Sequence, residues 1–370
     1  MGKLAVGTVV AKSFLSLARV LADSFRRYHP ETPFFVLLSD EVDGYFDPAS
    51  ESFQVLRLAD LGIPDLARFR FHYTRQELMY AATPYLLTHL LEQGFSGAAF
   101  LKQESLVVGE LTPVLELLGR RSIVLTPHLL EPLCGEGGIE RELNILQSGV
   151  YNVGFLGVSA TPTGRAFLTW WRERLFEHCR HEVPRGIHFE QRWLDLVPAF
   201  FDDVEVVRDP GLNVAHWNLP ERKVAVSGDD VTVDGHPGRF FRFSGFDPGR
   251  PDAVTRYNDR LNMSNVGGAA EIFRRYVRLL DAAGYHETKE WPYAYGQFAN
   301  GRPIGERGRY LYRRLGRRAD RFGDPLATSS PENFFRWSRR RVGMLWTIKR
   351  AWWAVRKKWR DGLQLLSGGR

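Results

Sequence analysis

The chain has only two cysteines, Cys134 and Cys179, in 370 residues. That is too few for a disulfide framework or a cysteine-rich zinc site. No stretch of about 20 apolar residues exists, so the sequence offers no spanning helix. The opening MGKLAVGTVVAKS lacks an apolar core ending in a small-residue cleavage site, and a cytoplasmic location is expected. Nucleotide-loop motifs are also missing. No G-x-G-x-x-G follows the first apolar run and no G-x-x-x-x-G-K-[ST] occurs, which excludes the common dinucleotide and P-loop readings. Neither H-E-x-x-H nor G-x-S-x-G appears. What remains is ordinary globular composition, 44% hydrophobic and 25% charged, long enough for a large core.

The net charge of +7 is unevenly placed. Residues 331–370 hold eleven Lys/Arg and two acids, a local +9, so residues 1–330 sum to −2. The same tail carries five of the ten tryptophans, Trp337, Trp346, Trp352, Trp353 and Trp359. At helical spacing, Leu345, Ile348, Trp352, Val355, Trp359 and Leu363 fall on one face, with most basic residues opposite. Such a helix suits an anionic membrane surface, with Trp346, Trp352, Trp353 and Trp359 as interfacial anchors. Packing on the body is the competing reading. No motif supports nucleic acid, and none is expected as a partner.

Short apolar runs at Ala5–Val10, Phe34–Leu38, Phe53–Leu58, Ala98–Leu101, Leu106–Val108, Ser122–Leu125 and Val153–Val158 read as buried strands. Helical periodicity marks Phe14–Tyr28, Arg75–Leu91, Thr163–Cys179, Phe189–Leu196 and Ala269–Ala283. A hairpin is expected through Asp234-Gly235. Alternating strands and helices predict an α/β mixed sheet flanked by helices. In such sheets ligands bind beyond the carboxyl ends of the strands. Thr8, Asp40 and the triplet Lys102-Gln103-Glu104 are the polar groups placed there.

Several blocks taken in order resemble nucleotide-sugar glycosyltransferases of the GT-A fold, most of all bacterial relatives of glycosyltransferase family 8. They are FVLLSDE at 35–41, AAFLKQESLVVGEL at 98–111, SGVYNVGFLGV at 148–158, FEQRWLDLVPAFF at 189–201, DPGLNVAHWNL at 209–219 and FFRFSGFDP at 240–248. The resemblance covers about residues 1–260. It implies a catalytic domain over 1–262, a helical or irregular extension over 263–330 and the basic tryptophan-rich helix over 331–370.

In that family a D-x-D pair and a downstream histidine hold Mn²⁺ or Mg²⁺ against the donor diphosphate. Here Lys102, Glu104 and Arg242 stand at those positions. Two permanent cations in place of ligands imply transfer without a divalent metal, the cations meeting the diphosphate directly. The resemblance assigns the nucleotide sugar to Thr8, Val9, Lys12, Asp40, Lys102, Gln103, Glu104, Arg242, Ser244 and Gly245. It places Glu190 and Gln191 near the anomeric carbon and implies retention; for inversion, Glu190 or Asp195 is the general-base candidate. Asn152, His216, Trp217 and Asn218 form the sugar and acceptor side. His128 and His188 read as structural or solvated. The expected partners are a nucleotide-diphosphate sugar and a lipid-linked or envelope glycan, at the inner face of a bacterial cytoplasmic membrane. Two other readings stay open. One is a non-catalytic glycan-binding or scaffold module. The other is an ordinary Mn²⁺- or Mg²⁺-dependent transferase.

Overall fold

The structure is a computed structural model describing residues 2–341. Its contacts divide the chain into two units, one of residues 1–66 and 73–294, the other of residues 67–72 and 295 onward. The boundary expected after residue 262 therefore falls inside the first unit.

The first unit is built on seven strands. Six are β1 (Leu4–Val10), β2 (Phe34–Leu38), β3 (Gln54–Arg57), β4 (Gly97–Leu101), β6 (Ile123–Pro127) and β7 (Tyr151–Ser159). The short β5 (Ser105–Val107) lies apart, and Val204–Val206 completes the sheet. The order across the sheet is Val204–Val206, β6, β7, β4, β1, β2, β3. β1 runs parallel to β2 and β4, whereas β7 is antiparallel to β4 and β6. The sheet is thus mixed. β2, β4 and β6 are buried along their whole length and β1 and β7 along nearly all of it. That is why these strands read as continuous apolar runs.

Helix α1 (Leu15–Tyr28) buries Leu15, Ala18, Leu21, Ala22 and Phe25 against the sheet. The single helix expected over Arg75–Leu91 is two, Arg75–Ala81 and Thr83–Glu92, because Pro84 sits in the first turn of the second. Proline has no N–H to donate and is tolerated there but not in a helix interior. Phe189–Leu196 is not an α-helix either: Phe189 has φ +49°, and Gln191–Leu196 is a 3₁₀ turn. The helix Gly138–Ser148 has no counterpart among the expected elements. The hairpin through Asp234-Gly235 is present, with both residues at positive φ.

In the second unit Phe71, Phe298, Tyr312, Ala319, Phe322 and Phe334 form the core. Trp337 packs there with ring centroids 5.7 Å from Phe322 and 5.8 Å from Phe334. The tail's first aromatics thus belong to a packed core, while Trp346, Trp352, Trp353 and Trp359 lie outside the described residues. Among the described residues no helix is long and apolar enough to cross a membrane.

Candidate active site

β4 ends at Leu101, and the Lys102 amide donates to the Gly154 carbonyl of β7 at 3.0 Å. β5 then pairs antiparallel with the strand Phe240–Arg242 in a register that sets Arg242 opposite Ser105. These two ladders bring together residues 138 positions apart in sequence (242 − 104). The Lys102 ammonium pairs with the Glu190 carboxylate, and both side chains are buried. Arg242 Nη2 donates to Glu104 Oε1 at 2.6 Å, and its Nη1 donates to Asn152 Oδ1.

The result is a quartet of two cations and two carboxylates, buried but for the half-buried Glu104. Rings cover it: Lys102 Nζ lies 3.3 Å from the centroid of Tyr80, and the Arg242 guanidinium 5.3 Å from Trp217. These are cation–π distances. Burial pushes the Lys102 ammonium below its ordinary value, against the pull of Glu190 and Glu104. Burial also raises Glu104, but the Arg242 guanidinium and Lys102 outweigh it and hold that carboxyl below its usual range.

Beside the quartet runs an amide network. Gln191 Oε1 accepts from Asn152 Nδ2 at 3.0 Å and from the Val153 amide at 3.3 Å, and its Nε2 donates to the Ser148 carbonyl at 2.9 Å. His128 Nδ1 faces the Val150 carbonyl and so carries the proton, leaving Nε2 to accept from Asn152 at 2.8 Å. Burial lowers His128 to about 3, despite the Val150 hydrogen bond, so the ring is neutral. Gly154 is the only residue type that fits beneath Arg242. A Cβ there would lie 2.2 Å from Asn213 Oδ1 and 2.7 Å from both Arg242 Cδ and Asn152 Oδ1.

Lys102, Glu190 and Arg242 of the quartet line a cavity of about 820 Å³, together with Tyr80, Asn152, Gln191, His216, Trp217 and Ser244; Glu104, held by Arg242, is off the lining. Its upper lining comes from the loop 253–262, closed by a bridge between Ala253 and Asn262. Gly245 turns the chain into that loop at φ +74°, where a Cβ would lie 2.5 Å from Tyr257. Three buried polar atoms of lining residues have no partner, Arg242 Nε, Trp217 Nε1 and Asn258 Oδ1, and neither do Glu104 Oε2 and both amide atoms of Asn213, off the lining. Such unfinished hydrogen bonding is costly without a ligand or water.

Not every expected residue reaches this cavity. Thr8, Val9, Lys12 and Asp40 are buried at the β1–β2 end, outside its lining. Lys12 Nζ donates to Asp43 at 2.6 Å and stands 3.5 Å from Asp40. Asp40 also accepts from the Ala294 and Glu41 amides, each at 2.9 Å. Gln103 is buried and off the lining. Asp195 accepts from the Val150 amide at 2.8 Å and pairs with Arg192, bracing the turn rather than facing the cavity. Asn218 does similar work, donating to the His128 and Asn213 carbonyls at 3.1 Å.

The sequence reading passed over Tyr80, Phe189, Arg256, Tyr257 and Arg260, which all line the cavity, and set aside His128 and His188, which do too. The helix Gly138–Ser148 has one mainly polar side and one apolar side. Arg141, Asn144, Ile145 and Ser148 line the cavity, whereas Ile139, Leu143 and Leu146 are 71%, 51% and 54% exposed.

The residues at the expected metal positions do not fit a divalent ion. Lys102 and Arg242 are cations, and Glu104 is held by Arg242. Among the described residues no group of three or more His, Cys, Asp or Glu could hold a metal.

No family model matches the sequence. The chain is 26% identical over 259 residues to the uncharacterized protein YfnF of Bacillus subtilis (strain 168), covering 65% of this chain and 80% of that protein. It is 25% identical over 196 residues to YfnD of the same organism, covering 52% of this chain and 60% of that protein. Among solved structures it is similar to the galactosyltransferase LgtC in complex with donor and acceptor sugar analogs. That match has 14% identity, covers 75% of this chain and 95% of the other, and has a TM-score of 0.39. It is also similar to the glycosyltransferase GlyE of Streptococcus pneumoniae TIGR4, with 15% identity, 80% and 67% coverage and a TM-score of 0.44.

Proposed function

We propose that the chain is a glycosyltransferase that moves a sugar from a nucleotide-diphosphate donor without a divalent metal. One observation carries the reading: beyond the carboxyl end of β4, a roomy cavity sets buried charges, aromatic faces and unpaired donors and acceptors around one space. Sugars present apolar ring faces to aromatic side chains and hydroxyls to such polar groups. The blocks that resemble the GT-A family supply the reaction type.

In this reading the bond between the anomeric carbon and the diphosphate breaks, a bond to the acceptor oxygen forms, and the acceptor's hydroxyl proton leaves with the departing nucleoside diphosphate. Lys102 and Arg242 stand where the departing phosphate oxygens gain charge, held there by Glu190 and Glu104. Glu190 is the carboxylate offered to the oxocarbenium-like centre. Gln191, with its amide bound on both sides, positions Asn152 and through it Arg242. Retention of configuration follows from the family resemblance.

The acceptor is proposed to be a lipid-linked or envelope glycan of a bacterial membrane. The outward aliphatic side of Gly138–Ser148, next to the cavity, and the +9 charge of residues 331–370 support a membrane-side acceptor.

Calorimetric titration of nucleoside diphosphates and their sugars in excess EDTA, then with Mn²⁺, tests the reading. Equal binding in both, with donor turnover in EDTA, is expected. Turnover only with Mn²⁺ would restore the metal-dependent alternative, and glycan binding without turnover would make the chain a binding module.

A further inference from the structure

The charges that line the cavity are nearly all taken. Lys102 is paired with Glu190, Arg242 with Glu104, and Arg141 with Glu221, to which it donates through both terminal nitrogens. Each of these pairs sums to zero. A donor diphosphate esterified at both ends carries two negative charges, so the quartet alone leaves it uncompensated.

Two lining cations remain. Arg256 and Arg260, both on the loop 253–262, make no ion pair within 4 Å among the described residues. Glu136 is the one lining carboxylate outside the pairs above. Arg256 stacks on Tyr257, at 5.3 Å from the ring centroid, and its amide is tied to the Gly245 carbonyl at 2.8 Å. Arg260 reaches to the opposite lip, where its Nη1 lies 3.9 Å from the place a Cβ would take on Gly137. Its field enters the cavity: His216 is lowered to about 4, first by burial, then by Arg242 and Arg260. Between the two arginines, Asn258 Oδ1 has no partner.

We propose that Arg256 and Arg260 bind the donor diphosphate, closing on it from the rim while Lys102 and Arg242 meet it from the floor. This inference rests on the transferase reading above. A guanidinium matches two phosphate oxygens with its planar fork, and an unpaired one gives up no internal ion pair to do so. The two rim charges match the two charges of the ligand.

The test uses the full chain, with UDP, GDP and dTDP as probes in EDTA at low and high salt. For Arg256→Gln/Arg260→Gln, a loss of about tenfold per arginine is expected, with a flatter salt dependence. Arg256→Lys/Arg260→Lys is expected to retain part of the affinity. Arg250→Gln, exposed on the same stretch but off the lining, is expected to match the parent chain. The arginines are exposed, so an unchanged melting temperature shows that folding is intact. Equal affinity in the double glutamine variant overturns this inference and leaves the transferase reading standing. Failure of the parent chain to bind any of the three, with or without Mn²⁺, overturns both.

Discussion

The carboxyl edge of the sheet buries a lysine at each of two places, and the two differ in how completely their surroundings are satisfied. At the β1–β2 end, Lys12 is 0% exposed and held by Asp40, Asp43 and the Glu41 carbonyl. Asp40 in turn accepts from three backbone amides, those of Lys12, Glu41 and Ala294. At the β4 end, Lys102 is 3% exposed and paired with Glu190, but the groups around it are unfinished. One end is closed around a lysine shared by two carboxylates. The other opens on a cavity with polar atoms still to be paired. Burial of a charge is therefore no mark of a site, and neither is a single unmet hydrogen bond, since Thr8 Oγ1 at the closed end also lacks a partner. Several unmet groups gathered on the lining of one cavity are such a mark.

Replacing the lysines separates the two ends most sharply. Lys102→Met leaves Glu190 buried without its cation and is expected to cost about 3–5 kcal/mol in urea unfolding. Donor turnover is expected to fall by about a hundredfold. Lys102→Met/Glu190→Leu removes both charges and is expected to regain most of the stability but none of the turnover. Lys12→Met is expected to cost less, about 2 kcal/mol, because the backbone amides still solvate Asp40. An equal loss at both positions would erase the distinction.

The ends also respond to acid with opposite signs. An unfolded histidine takes up its proton near pH 6.5, whereas burial holds folded His128 at about 3. Between these values the unfolded chain binds more protons, so stability falls as pH drops. From pH 6.5 to 5 the loss from His128 alone is about 2 kcal/mol. His188 and His216, each lowered to about 4 chiefly by burial, add in the same direction. Asp40 is raised by burial, so its contribution is present below its unfolded value and lost as pH rises through the folded one. His128→Gln is expected to flatten the slope between pH 5 and 6.5, measured by unfolding at stepped pH. An unchanged slope would remove His128 as its source.

The smallest expected effect lies between the two ends. Thr74 caps the helix Arg75–Ala81, whose Tyr80 covers Lys102, through a reciprocal box with Glu77. Thr74→Ala is expected to cost about 1 kcal/mol by urea unfolding. Turnover that fell far more than stability would show that the cap sets the position of Tyr80.

Much of the sheet was legible because its central strands are buried on both faces and stand out as apolar runs. Lys102 and Glu104 were legible as a unit because they lie two residues apart after such a strand. Arg242 could be placed only through a family resemblance, and its contact with Glu104 depends on the β5 register. Tyr80 was hidden inside a stretch read as one long helix, which Pro84 divides. The helix Gly138–Ser148 was legible in principle, because Ile139, Leu143 and Leu146 recur at helical spacing, but that apolar side faces outward and the glycine-rich stretch before it reads as a loop. Arg256 and Arg260 lie in an irregular loop without periodicity, and nothing local distinguishes them from other surface arginines.

Local order along the chain determined the strand and helix succession, the mixed α/β class and the triplet beyond β4, because those depend on spacing over a few residues. Only the tertiary structure decided which charges are paired, that Lys12 and Asp40 face each other instead of the cavity, and that two rim arginines are left over. Pairing depends on which strands lie side by side, and strand register joins residues that sequence spacing cannot relate.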